Sequence, residues 1–354
     1  MADQTWAIAM AIDVQSAFGT INGTISALSG TLDQTDGMIL GDKASGEADS
    51  GITVPNIVAV VRENPVVAAS FTEQWDAYLR TAVEGLSIAF PLQGNGADAG
   101  APTADAASPL VGPNAILQAA GLIETTGGGS PDVDFKPNAS TVYATIKLWL
   151  GSGTTGLSFV YQDCLVDTLS LSFPPGSSGI ATAGFKVGSL ATQADGVTFP
   201  TVTYGTMASL ASPVVEGVAH AWGATRGFEN LTINIANTLE EFGDSNVTTT
   251  GLRQSQTRRL ITVDGAIYMT AAAAPYEYDN LVGTSAPTDD LSFQVGDPDV
   301  GGAETALNAY KVTVANLSAQ NLKYEKRGTA TVAVLSGAKA TDTAAGGEFT
   351  LTFN

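Results

Sequence analysis

This sequence predicts an all-β protein with one or two short helices. Apolar residues alternate with small or polar ones, as in Trp6, Ile8, Met10 and Ile12, and a period of two is typical of a strand with one buried face. Short clusters of Gly, Ser and Pro separate successive apolar runs and predict turns. Only 14% of the residues are charged, so the surface must consist largely of Ser, Thr, Asn, Gln and Gly, which suits a β protein with many turns.

The first half of the chain contains a helical turn followed by a β-meander. The turn covers Asn114–Ala120 and ends at Gly121, which we expect in the left-handed conformation that closes many helices. Residues 22–51 and 93–107 are rich in small and polar residues with little periodicity, and they are predicted to be long exposed loops. Residues 68–79 fit either a helix or a strand.

Strands are predicted in both halves of the chain. In the first half they are Trp6–Ile12, Ile52–Val61, Leu86–Leu92, Val142–Leu150, Leu157–Val166, Thr168–Phe173 and Ala181–Val187, with a turn near Asp167. In the second half they are Phe228–Asn237, Leu260–Met269, Leu291–Val295, Tyr310–Val314, Leu322–Lys326, Ala330–Leu335 and Phe349–Phe353. A chain of 354 residues is too long for one small core, so we predict two tandem β-sandwich or β-barrel units, residues 1–200 and 201–354. The boundary lies near residues 201–212, where the apolar alternation lapses.

The charge and cysteine content exclude several classes of protein. Lys and Arg total 15 against 35 Asp and Glu, and this net charge of −20 argues against ordinary DNA binding, which needs a basic face. The single Cys164 excludes an intrachain disulfide framework and is expected to be a small buried side chain rather than a reactive thiol. No apolar run reaches the ~20 residues that span a membrane, and the start of the sequence does not fit a signal peptide.

Candidate catalytic and metal-binding residues are few. The single His220 excludes zinc signatures that need two histidines, although a triad with a Ser and an Asp stays open. The pairs Glu240-Glu241 and Asp289-Asp290 place neighbouring carboxylates on opposite faces of a strand, which suits an acid–base couple poorly. Asp297 and Asp299 could share a face and bind Ca²⁺ weakly, but a solvated turn is the favoured interpretation. We therefore predict no catalytic residue, no metal site and no cofactor.

The order of motifs in the first half of the chain resembles that of the tail tube (major tail) proteins of long-tailed bacteriophages. In that family a short apolar turn ending in Gly-Leu is followed by an aromatic-x-Pro entry and then by a meander of amphipathic strands. The residues at the matching places are Leu117, Ala120, Gly121, Leu122, Phe135 and Pro137. The opening segment AMAIDVQSAFGTING resembles the first strand of the family and its aromatic-Gly-Thr turn, and DGMILGDKASGEADSGITVP resembles its polar connector. The resemblance covers residues 6 to about 190 and, more loosely, 214–354.

The resemblance implies a structural subunit without enzymatic activity. Such subunits form rings that stack helically into a long non-contractile tube, in which strands of successive copies close an inner β-barrel and genomic DNA passes through the lumen without specific binding. With two equivalent units in the chain, the ring is expected to contain three copies with pseudo-sixfold symmetry, and a ring of six copies is the alternative. Further implied partners are the tail terminator, distal tail and tape measure proteins. The protein would be made in the host bacterial cytoplasm and reside in the virion tail, with no membrane partner.

Clustered cations are the candidate contact residues between subunits or rings. In such an acidic chain, a few cations gain most where they meet an acidic face of a neighbouring copy. The alternative is a solvated hairpin with local partners. The six candidate residues are Arg253, Arg258, Arg259, Lys323, Lys326 and Arg327.

Two other classes of function stay open. A β-sandwich binding module, such as a carbohydrate-binding adhesin or a capsid decoration protein, would be favoured by clustered exposed aromatic residues. The tryptophans, Trp6, Trp75, Trp149 and Trp222, are instead far apart in sequence. A hydrolase that uses His220 or paired carboxylates has the least support.

Overall fold

The computed structural model of this chain describes residues 7–32, 38–41, 52–53, 86–92, 111–126, 133–152, 155–174, 179–202, 215–220, 227–243, 252–268, 290–295, 310–319, 322–340 and 347–353. Most of these residues lie in β-strands, and two short helices accompany them, which confirms the all-β prediction at that level. The helices are α1 (Gly23–Ala27) and α2 (Val111–Ala119). The strands are β1 (Ala7–Val14), β2 (Thr31–Leu32), β3 (Met38–Gly41), β4 (Ile52–Thr53), β5 (Leu86–Pro91), β6 (Leu122–Thr126), β7 (Val133–Pro137), β8 (Ala144–Ser152), β9 (Thr155–Phe173), β10 (Ile180–Lys186), β11 (Ser189–Val197), β12 (Thr201–Val202), β13 (Val215–His220), β14 (Phe228–Gly243), β15 (Leu252–Tyr268), β16 (Leu291–Val295), β17 (Tyr310–Val314), β18 (Leu317–Ser318), β19 (Leu322–Arg327), β20 (Ala330–Ala340) and β21 (Phe349–Phe353).

Strand β9 connects the parts of a large curled sheet. Its first half pairs with β8 and β11, and its second half pairs with β10 and β14, all antiparallel. Thirteen strands of the described chain belong to this sheet, and its main path runs β18-β20-β15-β14-β9-β10-β5-β4. Because β9 belongs to both halves, the two parts of the sheet are held together by one continuous backbone.

The partners of β9 change around Asp163, whose backbone has a φ of 55°. Its Oδ1 accepts hydrogen bonds from Nε2 of Gln15 at 3.1 Å and from the backbone N–H of Gly19 at 2.7 Å. The Gln15 side chain also accepts a hydrogen bond from the backbone N–H of Asp163 at 2.6 Å. These bonds stabilise a left-handed backbone conformation, which is unusual for a residue other than glycine, in the middle of a strand.

The predicted turn near Asp167 is wrong, because the chain runs as one strand through that residue.

A six-stranded sheet, in the order β13-β16-β17-β21-β7-β6, packs against the large sheet. Phe173 of the large sheet contacts Phe293 of the smaller one edge to face, with ring centroids 4.9 Å apart. The ring centroid of Phe228 lies 5.5 Å from that of Phe293, and the ring centroid of Tyr310 lies 6.3 Å from that of Phe173. All except Phe228 are fully or almost fully buried. The core is therefore the interior of a two-layer β-sandwich.

Strands from both sides of residue 200 share the two sheets. In the large sheet β9 pairs with β14, and in the smaller sheet β7 pairs with β21. The buried side chains of both halves also form one continuous cluster. The predicted division at residue 200 thus coincides with no boundary between sheets or cores, and the arrangement as two tandem units stays a prediction.

The prediction of a loop over residues 22–51 is wrong in the part that is described. Asn22 caps helix α1 by accepting hydrogen bonds from the backbone N–H groups of Thr24 and Ile25. The ammonium of Lys147 donates to the last carbonyls of that segment, Ser26 O at 2.6 Å and Leu28 O at 2.8 Å. Strands β2 and β3 follow, paired with β12 and β1. These elements depend on partners far along the chain, so local periodicity does not reveal them.

The remaining predicted strands are mostly confirmed. Several are longer than expected, since β14 and β15 form a hairpin that continues to the pair Gly243 and Leu252. The predicted strand 52–61 is described only at Ile52–Thr53, and residues 68–79 and 93–107 lie outside the described residues.

Helix α2 ends as predicted. Gly121 has a φ of +78°, the left-handed conformation that glycine adopts at low cost. A Cβ atom at this position would also collide with the side chains of Arg259 and Gln256. The helix end is therefore packed directly against hairpin β14–β15.

Candidate functional surfaces

Arg259 lies at the junction between hairpin β14–β15 and the end of helix α2. Its side chain is only 9% exposed. The Nη2 atom donates to the carbonyl oxygens of Gly121 at 2.9 Å and Asn138 at 3.1 Å, and Nη1 lies 3.8 Å from Oε1 of Glu348. Burial lowers the pKa of Arg259, and the Glu348 carboxylate opposes that shift. Arg259 therefore carries a local structural role as the cation at a helix C-terminus.

Two neutral side chains complete this junction. Asn237 donates from Nδ2 to the carbonyl oxygens of Ala120 at 2.9 Å and Val166 at 3.0 Å. Gln256 donates from Nε2 to Oδ1 of Asn237 at 2.7 Å. The hairpin thus satisfies carbonyl groups at the end of α2 and in strand β9 together, which fixes their relative positions.

A cleft of about 460 Å³ opens beside this junction. Its lining residues are Pro137, Asn138, Ala139, Gln256, Thr257, Arg258, Arg259 and Glu348. Arg258 is exposed and has no ion-pair partner among the described residues. The backbone of Arg253 pairs with Phe242, farther out on the hairpin, and its side chain lies outside the description. Of the predicted arginine cluster, Arg259 is buried and Arg258 is exposed, and both residues line the cleft.

The second predicted set lies on strand β19, and two of its cations have carboxylate partners. Lys323 contacts Glu325 at 2.8 Å, and Arg327 contacts Glu325 at 2.9 Å and Glu229 at 3.6 Å. The hydrogen bond and charge of Lys323, followed by the charge of Arg327, lower the pKa of Glu325. Lys326 is exposed. Lys323 and Arg327 therefore follow the alternative interpretation, local partners on a solvated hairpin.

The outward surface of the large sheet is a feature that sequence reasoning did not identify. We call it the outer sheet face and define it by three cross-strand rows on β5, β10, β9, β14, β15 and β20. The rows are Ser87-Gly184-Thr168-Ala236-Leu260, Ala89-Thr182-Ser170-Asn234-Thr262-Lys339 and Ile180-Ser172-Thr232-Asp264. Each row member is exposed or half-buried, whereas the alternating residues of the same strands are buried. The rows contain one carboxylate and one ammonium, so the outer sheet face is almost uncharged. Most of its side chains are small, and many carry a hydroxyl group.

Hydrogen bonds run across this face from strand to strand. Ser170 Oγ donates to Oδ1 of Asn234 at 2.9 Å, and Asn234 Nδ2 donates to Oδ2 of Asp264 at 3.1 Å. The other oxygen of Asp264 accepts from the backbone N–H of Gly337 at 2.8 Å. The Asp264 carboxylate is therefore stabilised by two donors, and the side chains of Ser170 and Asn234 in the second row are fixed by hydrogen bonds.

The groups considered for catalysis or metal binding do not come together in the described part of the chain. Cys164 is fully buried as predicted, and burial raises the pKa of its thiol. Glu240 is exposed, while Glu241 pairs with Lys186 at 2.6 Å. His220 contributes its backbone to β13, and its side chain lies outside the description, as do Asp297 and Asp299. No group of three or more potential metal ligands occurs among the residues described.

No family model matches the sequence, and no curated protein matches it. Within the described ranges, neither helix has the length and apolar character required to cross a bilayer.

Proposed function

We propose that this chain is the structural subunit of a long non-contractile phage tail tube, with no catalytic site. The observation that carries the proposal is the outer sheet face, together with the motif order of the first half of the sequence. The favoured role of that face is to line a lumen through which DNA passes. The subunit would assemble with copies of itself and with terminator, distal tail and tape measure proteins, in the host bacterial cytoplasm, and remain in the virion tail.

The chemistry of the outer sheet face suits a conduit. Duplex DNA carries roughly one negative charge per 1.7 Å of its axis, and each phosphate that meets Lys or Arg adds salt-dependent affinity. A lining rich in cations would repeat such contacts along the tube and retain the DNA. The rows of Ser, Thr, Ala and Asn offer few groups that could pair with a phosphate, and Asp264 is weakly repulsive. A net charge of −20 is compatible with the same behaviour.

The size of the ring follows from how many units a chain supplies. Six copies, or three copies with two equivalent units each, would both give six-fold or pseudo-sixfold geometry. The pairing of β9 with β14 and of β7 with β21 favours one unit per chain and thus six copies. In either ring, sheets of neighbouring copies would join edge to edge into the inner barrel, which removes exposed strand edges.

The first test is electron microscopy of the purified full chain, with rotational analysis of any rings. Hollow rings or stacked tubes are expected, and their symmetry decides between six and three copies. A chain that stays monomeric at every protein and salt concentration, also with a tail initiator added, contradicts the proposal and favours the alternative, a β-sandwich adhesin or decoration protein.

Cysteine scanning tests which surface lines the lumen. Because Cys164 is buried, we expect it not to react with maleimide reagents. A Thr182→Cys variant therefore carries one accessible thiol, on the outer sheet face. In assembled tubes we expect this thiol to react with a small maleimide but not with a polymer-linked one, whereas both reagents label the monomer. Thr192→Cys, exposed on β11 and outside the rows, calibrates both reagents on the monomer. Equal labelling of Thr182→Cys tubes by both reagents shows that another surface faces the lumen.

A further inference from the structure

The cleft beside Arg259 is lined by two arginines, the hydrogen-bonded Arg259 and the exposed Arg258. Arg259 is held by two carbonyl oxygens, and its Nε atom is buried without a hydrogen-bond partner. Its one carboxylate neighbour among the described residues, Glu348, is 3.8 Å from Nη1, which is longer than a good charged hydrogen bond. Arg258 is exposed and lines the same cleft, so two arginines border it against one carboxylate, that of Glu348. The cleft is therefore short of negative charge in a chain that has a large excess of it.

The donor set of the cleft fits a carboxylate. Guanidinium groups present planar pairs of N–H donors that match the two oxygens of a carboxylate. Asn138 also lines the cleft, and because its Oδ1 accepts from the backbone N–H of Ser140, its NH₂ group is left as a further donor. Because Arg259 is largely shielded from water, a carboxylate that reaches its guanidinium would gain more here than on an open surface.

The burial of Arg259 favours an acidic side chain over a nucleic acid as the ligand of the cleft. The Arg259 side chain is only 9% exposed, so an atom must enter the cleft to reach it. Phosphates of a duplex lie on a broad convex cylinder and would meet only the rim. A protruding Asp or Glu side chain can enter, and a second copy of this chain is rich in such residues, with 35 acidic residues in its sequence.

We propose that this cleft binds an acidic side chain of a neighbouring copy of this chain, with Arg258 as the group that closes over it. The inference rests on the proposed self-assembly and adds the chemistry of one contact. In a ring this contact would be head to tail, with the cleft of one copy against a different surface of the next. Repeated contacts of that kind generate rings or filaments.

The first experiment tests whether the cleft of a monomeric chain binds a carboxylate. Glutarate is titrated into the monomeric full chain at low protein concentration, and amide signals are followed by nuclear magnetic resonance. We expect shifts at Asn138, Gln256 and Arg258 in the wild type and none in the Arg258→Gln variant. No shift in the wild type overturns the carboxylate site, whether or not the protein assembles.

The second arm uses assembly. Sedimentation velocity compares Arg258→Glu with Lys311→Glu, a matched control with the same charge change at an exposed residue of β17. We expect Arg258→Glu to raise the protein concentration needed for half-assembly about tenfold or more, and Lys311→Glu to change it little. Equal assembly of both variants and the wild type overturns the role of a neighbouring copy. If none of the three assembles, the proposed function fails, while the glutarate titration still decides the site.

Discussion

Two cation clusters, the Arg259 junction and the β19 ladder of Lys323, Glu325 and Arg327, look alike in sequence but differ in the molecule. Arg259 is almost fully buried and donates to backbone carbonyls from two other segments. Arg327 is half exposed and pairs with carboxylates on its own strand and on β14. The difference teaches that neighbouring positive residues do not by themselves form one surface. Their value to the fold depends on whether water can replace their partners.

The largest difference between the clusters is expected on removal of the guanidinium group. Arg259→Ala removes two charge-assisted hydrogen bonds and the packing of a buried side chain, so we expect a loss of about 3 kcal/mol in the free energy of unfolding. Arg327→Ala, the matched control on the ladder, should cost less than about 0.5 kcal/mol. Urea unfolding of both variants measures the two values. Similar losses would show that the junction is no more important to the fold than the ladder.

A smaller effect is expected for the glycine that the junction requires. Gly121→Ala places a side chain in a left-handed residue and against Arg259, so we expect a loss of about 2 kcal/mol. Gly328→Ala has a similar φ, +61°, but its Cβ would meet nothing within 4 Å. The difference between these two variants in thermal unfolding isolates the contact with Arg259. Equal losses would mean that backbone conformation alone makes Gly121 necessary.

The smallest effect concerns the pH dependence of the ladder. The folded-state pKa of Glu325 is lowered, chiefly by Lys323 and then by Arg327, so its contribution to stability is complete above its ordinary pKa. That contribution is lost as the pH falls through the lowered value. We expect the difference in stability between wild type and Glu325→Gln to shrink under acid conditions, measured by urea unfolding at several pH values. A difference that grows on acidification contradicts the ion pairs of the ladder.

The sequence predicted best where the signal was local. Alternation placed most strands correctly, and the Gly121 helix end follows from residues next to it in sequence. Prediction from the sequence failed where a contact joins segments that are distant along the chain. The left-handed Asp163 depends on Gln15 and Gly19, and helix α1 depends on Lys147 from another strand. The same limit applies to the candidate site, since only the fold reveals that Arg259 is buried in contacts with distant segments while Arg258 is exposed beside it.

The outer sheet face could not be predicted from the sequence for a related reason. Its members are ordinary polar positions of alternating strands, and they become a common surface only through the register of six strands. Ser170 and Asn234 are 64 residues apart, and their hydrogen bond follows from the pairing of β9 with β14. A sequence records which face a residue takes on its own strand, but not its neighbours across the sheet.

The place of strand β21 has a consequence for synthesis on the ribosome. This strand lies between β17 and β7, so both of its neighbours are made before it. Until residue 353 has emerged, β7 and β17 each present an unpaired edge that can bind another nascent chain. We therefore expect chains that lack β21 to be prone to aggregation, because the two open edges persist until this strand is inserted between them.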